Sequence, residues 1–337
     1  MNAMRSVNPN VTIVGPSATM FDHASIYLGV ERFLTYAKAN DVLPDIISWH
    51  SWQHSLNEEI TQLNYFGAAN NIDVSRISIN EYLWATDEYH AGSVVYWLDS
   101  IERNRVESSA RSCWTTCFNT TLDGLVTDGG QPRSTWWVYE RYNQMTGSTA
   151  LTVPGATMDT VASQDTGVAH ALIGRCSSTP QSSACNIGPG PAQVRLQNLD
   201  DVSNLLSNGQ VHVLAELIDN SDTAASSGPI TMIDGVYAVT NGQLLLTLPA
   251  FGAWDAYYLT LSTVAPGTLA GDFNHDGAVD AADYVLIRNI GGDEAALSVW
   301  RSNFGQTSGG GSAVPEPSTA LLCAGMSSLL AFCSRRR

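Results

Sequence analysis

One acidic residue stands where a buried strand is expected to end. Residues 76–81 read Arg-Ile-Ser-Ile-Asn-Glu, and this alternation of apolar and polar residues is typical of a β-strand. Glu81 closes the run and is followed closely by two aromatic residues, Tyr82 and Trp84. Aromatic rings stack on sugar rings, and a carboxylate among them can attack or stabilise an anomeric carbon. The pattern favours a sugar site at Glu81; the alternative is a surface glutamate that begins a loop.

The residues around this strand predict a repeated strand–helix pattern. Strands are expected at 11–16, 45–52, 76–81 and 112–118, and helices at 27–37, 60–66, 94–101 and 134–145. Four such units imply a parallel sheet with right-handed crossovers, and the polar or aromatic residues His50, Glu81 and Trp114 fall at strand ends. A (β/α)8 barrel carries its chemistry at these carboxyl ends, and four units are half of such a barrel. We therefore predict an α/β partial barrel over residues 1–147.

The pattern changes after residue 147. Helical spacing disappears, and short alternating runs are separated by Gly, Ser and Asn, which is typical of an all-β sandwich. We predict this second domain over residues 148–265, with strands at 169–173, 193–196, 211–218, 235–240, 244–248 and 256–261.

Composition sets the class of partner. The 337 residues carry a net charge of −16 with only 16 basic side chains, which argues against a nucleic-acid partner because that needs a basic surface. Nine Trp and twelve Tyr favour a carbohydrate surface. Cys176 and Cys185 bracket a Ser/Thr/Pro-rich loop and are expected to pair in an oxidising compartment. Cys113 and Cys117 either pair with each other or remain two buried thiols.

Residues 272–283 have the spacing of a Ca²⁺-binding loop. Hard oxygen ligands recur at alternate positions, and Gly277 stands where such a loop turns sharply. The alternative is a chance acidic turn. The repeat that follows is too short for a second loop, so we predict one structural Ca²⁺. We predict no cofactor for catalysis. The expected ligands are Asp272, Asn274, Asp276, Ala278 through its carbonyl, Asp280 and Asp283.

This loop and the helix after it resemble one half of a dockerin. The resemblance implies a small helical EF-hand module over residues 266–307, with a cohesin-like protein as the partner to consider. A Gly/Ser-rich linker is expected at 308–313.

The last segment, 314–337, contains Pro315-Glu316-Pro317, then an apolar run at 320–333, then Arg335 to Arg337. It resembles a PEP-CTERM sorting signal, which implies export, display at the cell surface or envelope and an exosortase-type sorting enzyme. The alternative is a plain C-terminal membrane anchor. The first ten residues lack the apolar stretch of a signal peptide.

Four motifs taken in order resemble a known enzyme family. IVGPS, DIISWHSW, ISINEY and the segment 125–147 resemble strands five, six and seven and the approach to helix eight of clan A retaining glycoside hydrolases, closest to family 39. The resemblance implies an enzyme that hydrolyses O-glycosyl bonds of a plant-type or algal-type polysaccharide. It makes Glu81 the nucleophile and His50 a residue that lines the sugar subsite or orients Glu81. Trp52, Tyr82, Trp84 and Trp114 are the candidates for contact with the sugar.

The second carboxyl group that such an enzyme needs has no counterpart here. The family carries its acid/base glutamate in an Asn-Glu pair on strand four, which would precede residue 1. The only Asn-Glu pairs are Asn57-Glu58 and Asn80-Glu81, and the first lies after strand six. We therefore expect a truncated chain that lacks the proton donor. It is either part of a longer glycosidase or a remnant that serves as a non-catalytic carbohydrate-binding protein of the cell surface.

Overall fold

The computed structural model describes most of the chain in separate stretches. They are residues 2–19, 29–52, 55–85, 87–113, 121–176, 187–264, 269–274, 277–289 and 294–307. Several predictions fall outside these stretches: Trp114, Asp276, Cys117, Cys185, the linker and the sorting segment.

The first part of the chain alternates strands and helices, as predicted. In α2, Val30, Leu34 and Ala37 are buried at helical spacing, so this helix presents one apolar face to the core, whereas α4 is buried on all sides from Ala91 to Ile101. The elements are α1 (Asn2–Val7), β1 (Val14–Ala18), α2 (Val30–Ala39), β2 (Ile46–Ser51), α3 (Leu56–Asn70), β3 (Ile77–Tyr82), α4 (Ala91–Arg103), β4 (Ser108–Arg111) and α5 (Ser134–Gln144).

The four strands form one parallel sheet in the order β1-β2-β3-β4. The predicted fourth strand at 112–118 was wrong at 112 and 113, the two of its residues that the structure describes. The strand is Ser108–Arg111, and Ser112 and Cys113 follow it as irregular chain. This strand is polar and largely exposed, so it has no hydrophobic alternation. Its place in the sheet comes from backbone pairing with β3.

The second part of the chain forms two antiparallel sheets with a shared core. The larger sheet has the order β10-β9-β12-β7-β6-β5, and the smaller pairs β11 with β8. Side chains such as Val213 from the larger sheet and Leu246 from the smaller meet in one buried cluster. The strands are β5 (Ser148–Thr149), β6 (Met158–Asp165), β7 (Val168–Arg175), β8 (Gly190–Leu196), β9 (Gln210–Ile218), β10 (Ile230–Ala238), β11 (Leu244–Phe251) and β12 (Ala256–Ser262). The sequence prediction missed β5 and β6.

Helix α4 lies directly on the larger β-sheet. Val161, Leu172 and Tyr258 of that sheet share a buried cluster with the helices of the first part. The approach is closest at Gly92 and Gly174, where a Cβ built on Gly174 would lie 2.5 Å from the Gly92 carbonyl oxygen. The two parts of the chain are therefore joined by a continuous core.

The helices α6 (Ala281–Asn289) and α7 (Glu294–Asn303) follow the second part; α7 packs on strand β10, and α6 packs on α7. Phe273 sits in the space left by the missing side chain of Gly235, and its ring meets that of Tyr237 at 6.3 Å. Ile287 and Leu297 are buried in the core of the β-sheets. These helices share that core.

Candidate active site

His50 and Glu81 lie side by side at the carboxyl edge of the parallel sheet. Each is the last residue but one of its strand, and the two are register partners across β2 and β3. His50 Nδ1 lies 3.5 Å from Glu81 Oε2. The Glu81 side chain is 41% exposed and that of His50 17%, so the carboxylate is open to a solute while the ring is largely covered.

An irregularity in strand pairing produces this arrangement. Trp49 pairs with Ile79, but the next residue of β2, His50, pairs with Glu81, so Asn80 is an extra residue in β3. A bulge of this kind re-aims the following side chain. With regular pairing, Asn80 would stand opposite His50.

A chain of hydrogen bonds holds Asn80 in this position. Its amide nitrogen donates to Ser17 Oγ at 2.6 Å, and Ser78 Oγ donates to its carbonyl oxygen at 3.1 Å. Ser78 Oγ is also 2.8 Å from Ser108 Oγ. The chain therefore joins β1, β3 and β4. Sequence analysis missed Ser78 and Ser108, since single serines in strands are common and carry no recognisable spacing.

The predicted aromatic residues do not all face the site. The ring of Trp52 lies 4.8 Å from that of His50, tilted by 58°, and is half-buried. Trp84 is half-buried just beyond the strand, after Leu83, which has a positive φ of 85°. Trp114 lies outside the described residues. Contact of Trp52 and Trp84 with a sugar remains a prediction.

Tyr82 does not face the site. Its side chain is 4% exposed and belongs to the core beneath the sheet. Its hydroxyl lies 2.9 Å from that of Tyr139, and its ring lies 6.1 Å from Trp97. Burial raises the pKa of the phenol, in keeping with a neutral side chain. We therefore correct the expectation that Tyr82 contacts the sugar.

A buried acid on α3 bonds to Trp49, the residue before His50. The Glu59 carboxylate is 3% exposed and accepts a hydrogen bond of 2.8 Å from Trp49 Nε1. Burial raises the pKa of Glu59 to about 7, and the bond from Trp49 opposes the shift. Sequence analysis passed over this residue because a single acid on an amphipathic helix is usually a surface group.

The predicted Ca²⁺ loop is ordered by its own acids. Asp283 Oδ1 accepts hydrogen bonds from the backbone N–H of Phe273 and Asn274, and Oδ2 accepts one from Asp280. Asp272 Oδ2 accepts one from Gly277 N–H at 2.8 Å. Asp272 and Asp283 are both buried. Among the described residues, which exclude Asp276, no three His, Cys, Asp or Glu side chains are grouped to hold a metal.

Cys113 and Cys176 are each disulfide-bonded. Their predicted partners lie outside the described residues, so the pairings remain predictions.

Several solved structures resemble this chain in fold. N2152 from Neocallimastix frontalis aligns with a TM-score of 0.66 and 25% identity, over 78% of this chain and 63% of that one. The GH39 enzyme from Xanthomonas axonopodis pv. citri aligns with a TM-score of 0.53 and 14% identity, over 78% and 62%. A monomeric beta-xylosidase from Caulobacter crescentus CB15 gives a TM-score of 0.54 and 15% identity, over 78% and 64%.

The chain has a glycosidase-like fold. It resembles enzymes of the family 39 type, although sequence identity is low. It spans less than two thirds of the length of these proteins, 62 to 64%. No curated protein matches the chain.

The end of the sequence matches a family model by itself. Residues 313–337 match the PEP-CTERM protein-sorting motif. This motif supports export, sorting to the cell surface and processing of the exosortase type, as predicted. Within the described stretches, no helix is both long and apolar enough to cross a membrane.

Proposed function

We propose that this chain is the C-terminal part of a retaining glycoside hydrolase in which Glu81 is the nucleophile. The observation that carries the proposal is the pairing of His50 with Glu81 at the carboxyl edge of a parallel sheet. The glycosidase-like fold supports it, because parallel α/β barrels carry their chemistry at this edge. We interpret β1 to β4 as strands five to eight of the barrel.

In this proposal, Glu81 attacks the anomeric carbon. A bond forms between a carboxylate oxygen and that carbon while the bond to the leaving oxygen breaks. His50 donates a hydrogen bond either to a sugar hydroxyl, which helps to bind the sugar, or to Glu81, which fixes the attacking oxygen. Trp52 and Trp84 supply flat faces for the sugar rings. Water then hydrolyses the glycosyl ester, with retention of configuration.

The leaving oxygen needs a proton from a second carboxylic acid, about 5–5.5 Å from the nucleophile in retaining enzymes. The family resemblance assigns that acid to a strand that has no counterpart in residues 1–337. Glu81 is therefore one member of a catalytic pair, and the substrate is proposed only as a polysaccharide or oligosaccharide of the plant or algal type.

The test uses a substrate that needs no proton donor. In a 2-deoxy-2-fluoro glycoside of dinitrophenol, the dinitrophenolate leaves without being protonated. The nucleophile alone can therefore form the glycosyl ester. We expect the full chain to gain the mass of one fluorosugar, and peptide mapping to place it on Glu81. Xylosyl and glucosyl reagents should be compared.

The matched variants are Glu81→Gln and Glu58→Gln. Both change a glutamate in an Asn-Glu pair, but Glu58 lies on the exposed face of α3. Glu81→Gln should lose at least about 10³-fold in labelling rate, since the nucleophile is removed. Labelling of a different residue, or full labelling of Glu81→Gln, contradicts the proposal. Saturable sugar binding without labelling favours the non-catalytic alternative.

We also propose that residues 272–283 hold one Ca²⁺. The buried carboxylates of Asp272 and Asp283 at the two ends of the loop support the fit, since hard oxygen donors suit this ion. Asp276, Asn274, Asp280 and the Ala278 carbonyl would complete the set. Calorimetry should give one site per chain, and two equal sites would contradict it. A cohesin-like partner remains a prediction.

A further inference from the structure

The two helices that follow β3 and β4 lack caps of their own. The N-cap residue of α4 is His90 and that of α5 is Arg133, and neither side chain makes a capping hydrogen bond. Ser, Thr, Asp and Asn are the usual caps, because their oxygens accept from the first free backbone N–H groups.

One loop of the β-sheets supplies both missing caps. The loop between β9 and β10 covers residues 219–229, and its Asn220 Oδ1 accepts from Ala91 N–H of α4 at 3.1 Å. The next residue, Ser221, accepts from Ser134 N–H of α5 through Oγ, also at 3.1 Å. The bond is reciprocated, since Ser134 Oγ accepts from Ser221 N–H at 3.3 Å.

A second loop reinforces the cap of α4. The Trp254 carbonyl accepts from Gly92 N–H at 2.6 Å, and its ring stacks on His90 at 4.4 Å. Trp254 has a φ of 64°, which is rare for so bulky a residue. The buried carboxylate of Asp255 joins the two loops, because it accepts from both Asn220 N–H and Gly252 N–H.

One of the two capped helix ends follows Glu81 closely along the chain. Helix α4 begins after the segment 83–90, which follows β3 and Glu81 directly and carries Trp84. The loop also holds Tyr89 through Arg133, which donates to the Thr223 carbonyl at 3.0 Å and lies 5.0 Å from the ring of Tyr89. These contacts hold the chain at the start of α4, from Tyr89 to Gly92.

We propose that the loop 219–229 is a positioning element of the active site, with Asn220 and Ser221 as positioning residues that fix the starts of α4 and α5. Through α4, Asn220 sets the place of segment 83–90 and of Trp84 beside Glu81. The catalytic part of this inference rests on the proposed function. The part that concerns the position of segment 83–90 does not.

The first experiment measures hydrogen exchange in the full chain. Asn220→Ala removes the acceptor for α4, and the control Gln197→Ala removes an exposed side-chain amide from another loop of the same β-sheets. We expect exchange in peptides covering 83–94 to accelerate about five-fold in Asn220→Ala, the effect of losing one cap. Peptides from β12 should not change, and Gln197→Ala should match the wild type throughout.

A second pair tests α5. Ser221→Ala deletes the hydroxyl and Ser221→Thr retains it, so exchange at 134–138 should accelerate only in the alanine variant. If Asn220→Ala does not fold, this pair still decides whether the loop caps a helix. Unchanged exchange at both helix starts, or acceleration spread evenly over the chain, overturns the proposal.

The second measurement is the rate of fluorosugar labelling at Glu81 as a function of reagent concentration. Displacement of segment 83–90 should lower the maximal rate in Asn220→Ala several-fold, with little change in the half-saturating concentration. A general loss of folded protein would lower only the amount labelled, and an unchanged maximal rate counts against the catalytic role. If the wild type is not labelled, the proposed function fails, whereas the exchange data still decide whether the loop positions the segment.

Discussion

Single residues decide how His50 is supported. Trp49 and His50 are neighbours in β2, yet Trp49 is fully buried and bonded to Glu59 while His50 meets Glu81. The hydrogen bond to Trp49 therefore anchors β2 from its helix-covered side at the position next to His50. Because the Glu59 carboxylate is buried, its ionisation lowers the free energy of unfolding as pH rises.

We predict that Glu59→Gln stabilises the chain at alkaline pH. The folded-state pKa of Glu59, about 7, lies above the ordinary value of 4.5, so the folded state binds the proton more tightly than the unfolded state. Stability from this group is complete below about pH 4.5 and is lost as pH rises through about 7. Glutamine stays neutral and can still accept from Trp49 through its amide oxygen. At pH 8 the variant should therefore be more stable by up to about 3 kcal/mol.

Urea unfolding at pH 4.5 to 8 measures this difference. Glu58→Gln, on the exposed face of the same helix, should keep most of the pH dependence of the wild type; it should lose a small part, because the charge of Glu58 also raises the pKa of Glu59. The pKa of Asp255 is also raised by burial, to about 6, but it titrates in all three proteins and cancels. A pH-independent difference between Glu59→Gln and the wild type would show that Glu59 does not titrate in this window.

The helices and strands differ in how well the local sequence predicts them. Strand β3 alternates apolar and polar residues, strand β2 begins with two buried isoleucines, and both were predicted to within one residue at each end. Strand β4 is Ser-Ser-Ala-Arg and is recognised only through its pairing with β3. The contact of α4 with β7 also cannot be predicted from the sequence, because the glycine in each element does not indicate which element it will contact.

We predict that Gly174→Ala is strongly destabilising. The new methyl group would lie 2.5 Å from the Gly92 carbonyl oxygen, so α4 would have to move away from β7. The expected loss is about 2–4 kcal/mol. Gly190→Ala is the matched control, since Gly190 is also a strand residue but has no atom within 4 Å of the added carbon. A thermal unfolding curve for Gly174→Ala that overlays the control would disprove the close contact.

At the scale of the whole molecule, the Ca²⁺ loop is coupled to the β-sheets. Phe273 and Ile287 lie in the same core as the strands, and the Trp300 indole donates to the Asp280 carbonyl at 2.6 Å. Ordering of the loop should therefore stabilise more than residues 266–307. This arrangement differs from an independent module on a flexible tether.

We predict that Ca²⁺ raises the melting temperature of the β-sheets together with that of α6 and α7. At 100 times the dissociation constant, binding adds about 2.7 kcal/mol. Asp283→Asn should remove most of this rise, whereas Glu294→Gln, an exposed change in α7, should retain it. Calorimetry with and without a chelator measures the shift. A chelator-sensitive transition confined to a small separate unit would contradict the shared core.

The sequence by itself determined the alternation of strands and helices in the first part of the chain, the acid at the end of β3 and the sorting motif at the end of the chain. These depend on local periodicity and on short motifs, which neighbouring residues specify. The tertiary structure decided that Asn80 is bulged so that Glu81 faces His50, that Tyr82 lies in the core, and that Asn220 caps a helix 129 residues away. Strand register and capping between distant segments arise from packing, and no local pattern encodes them.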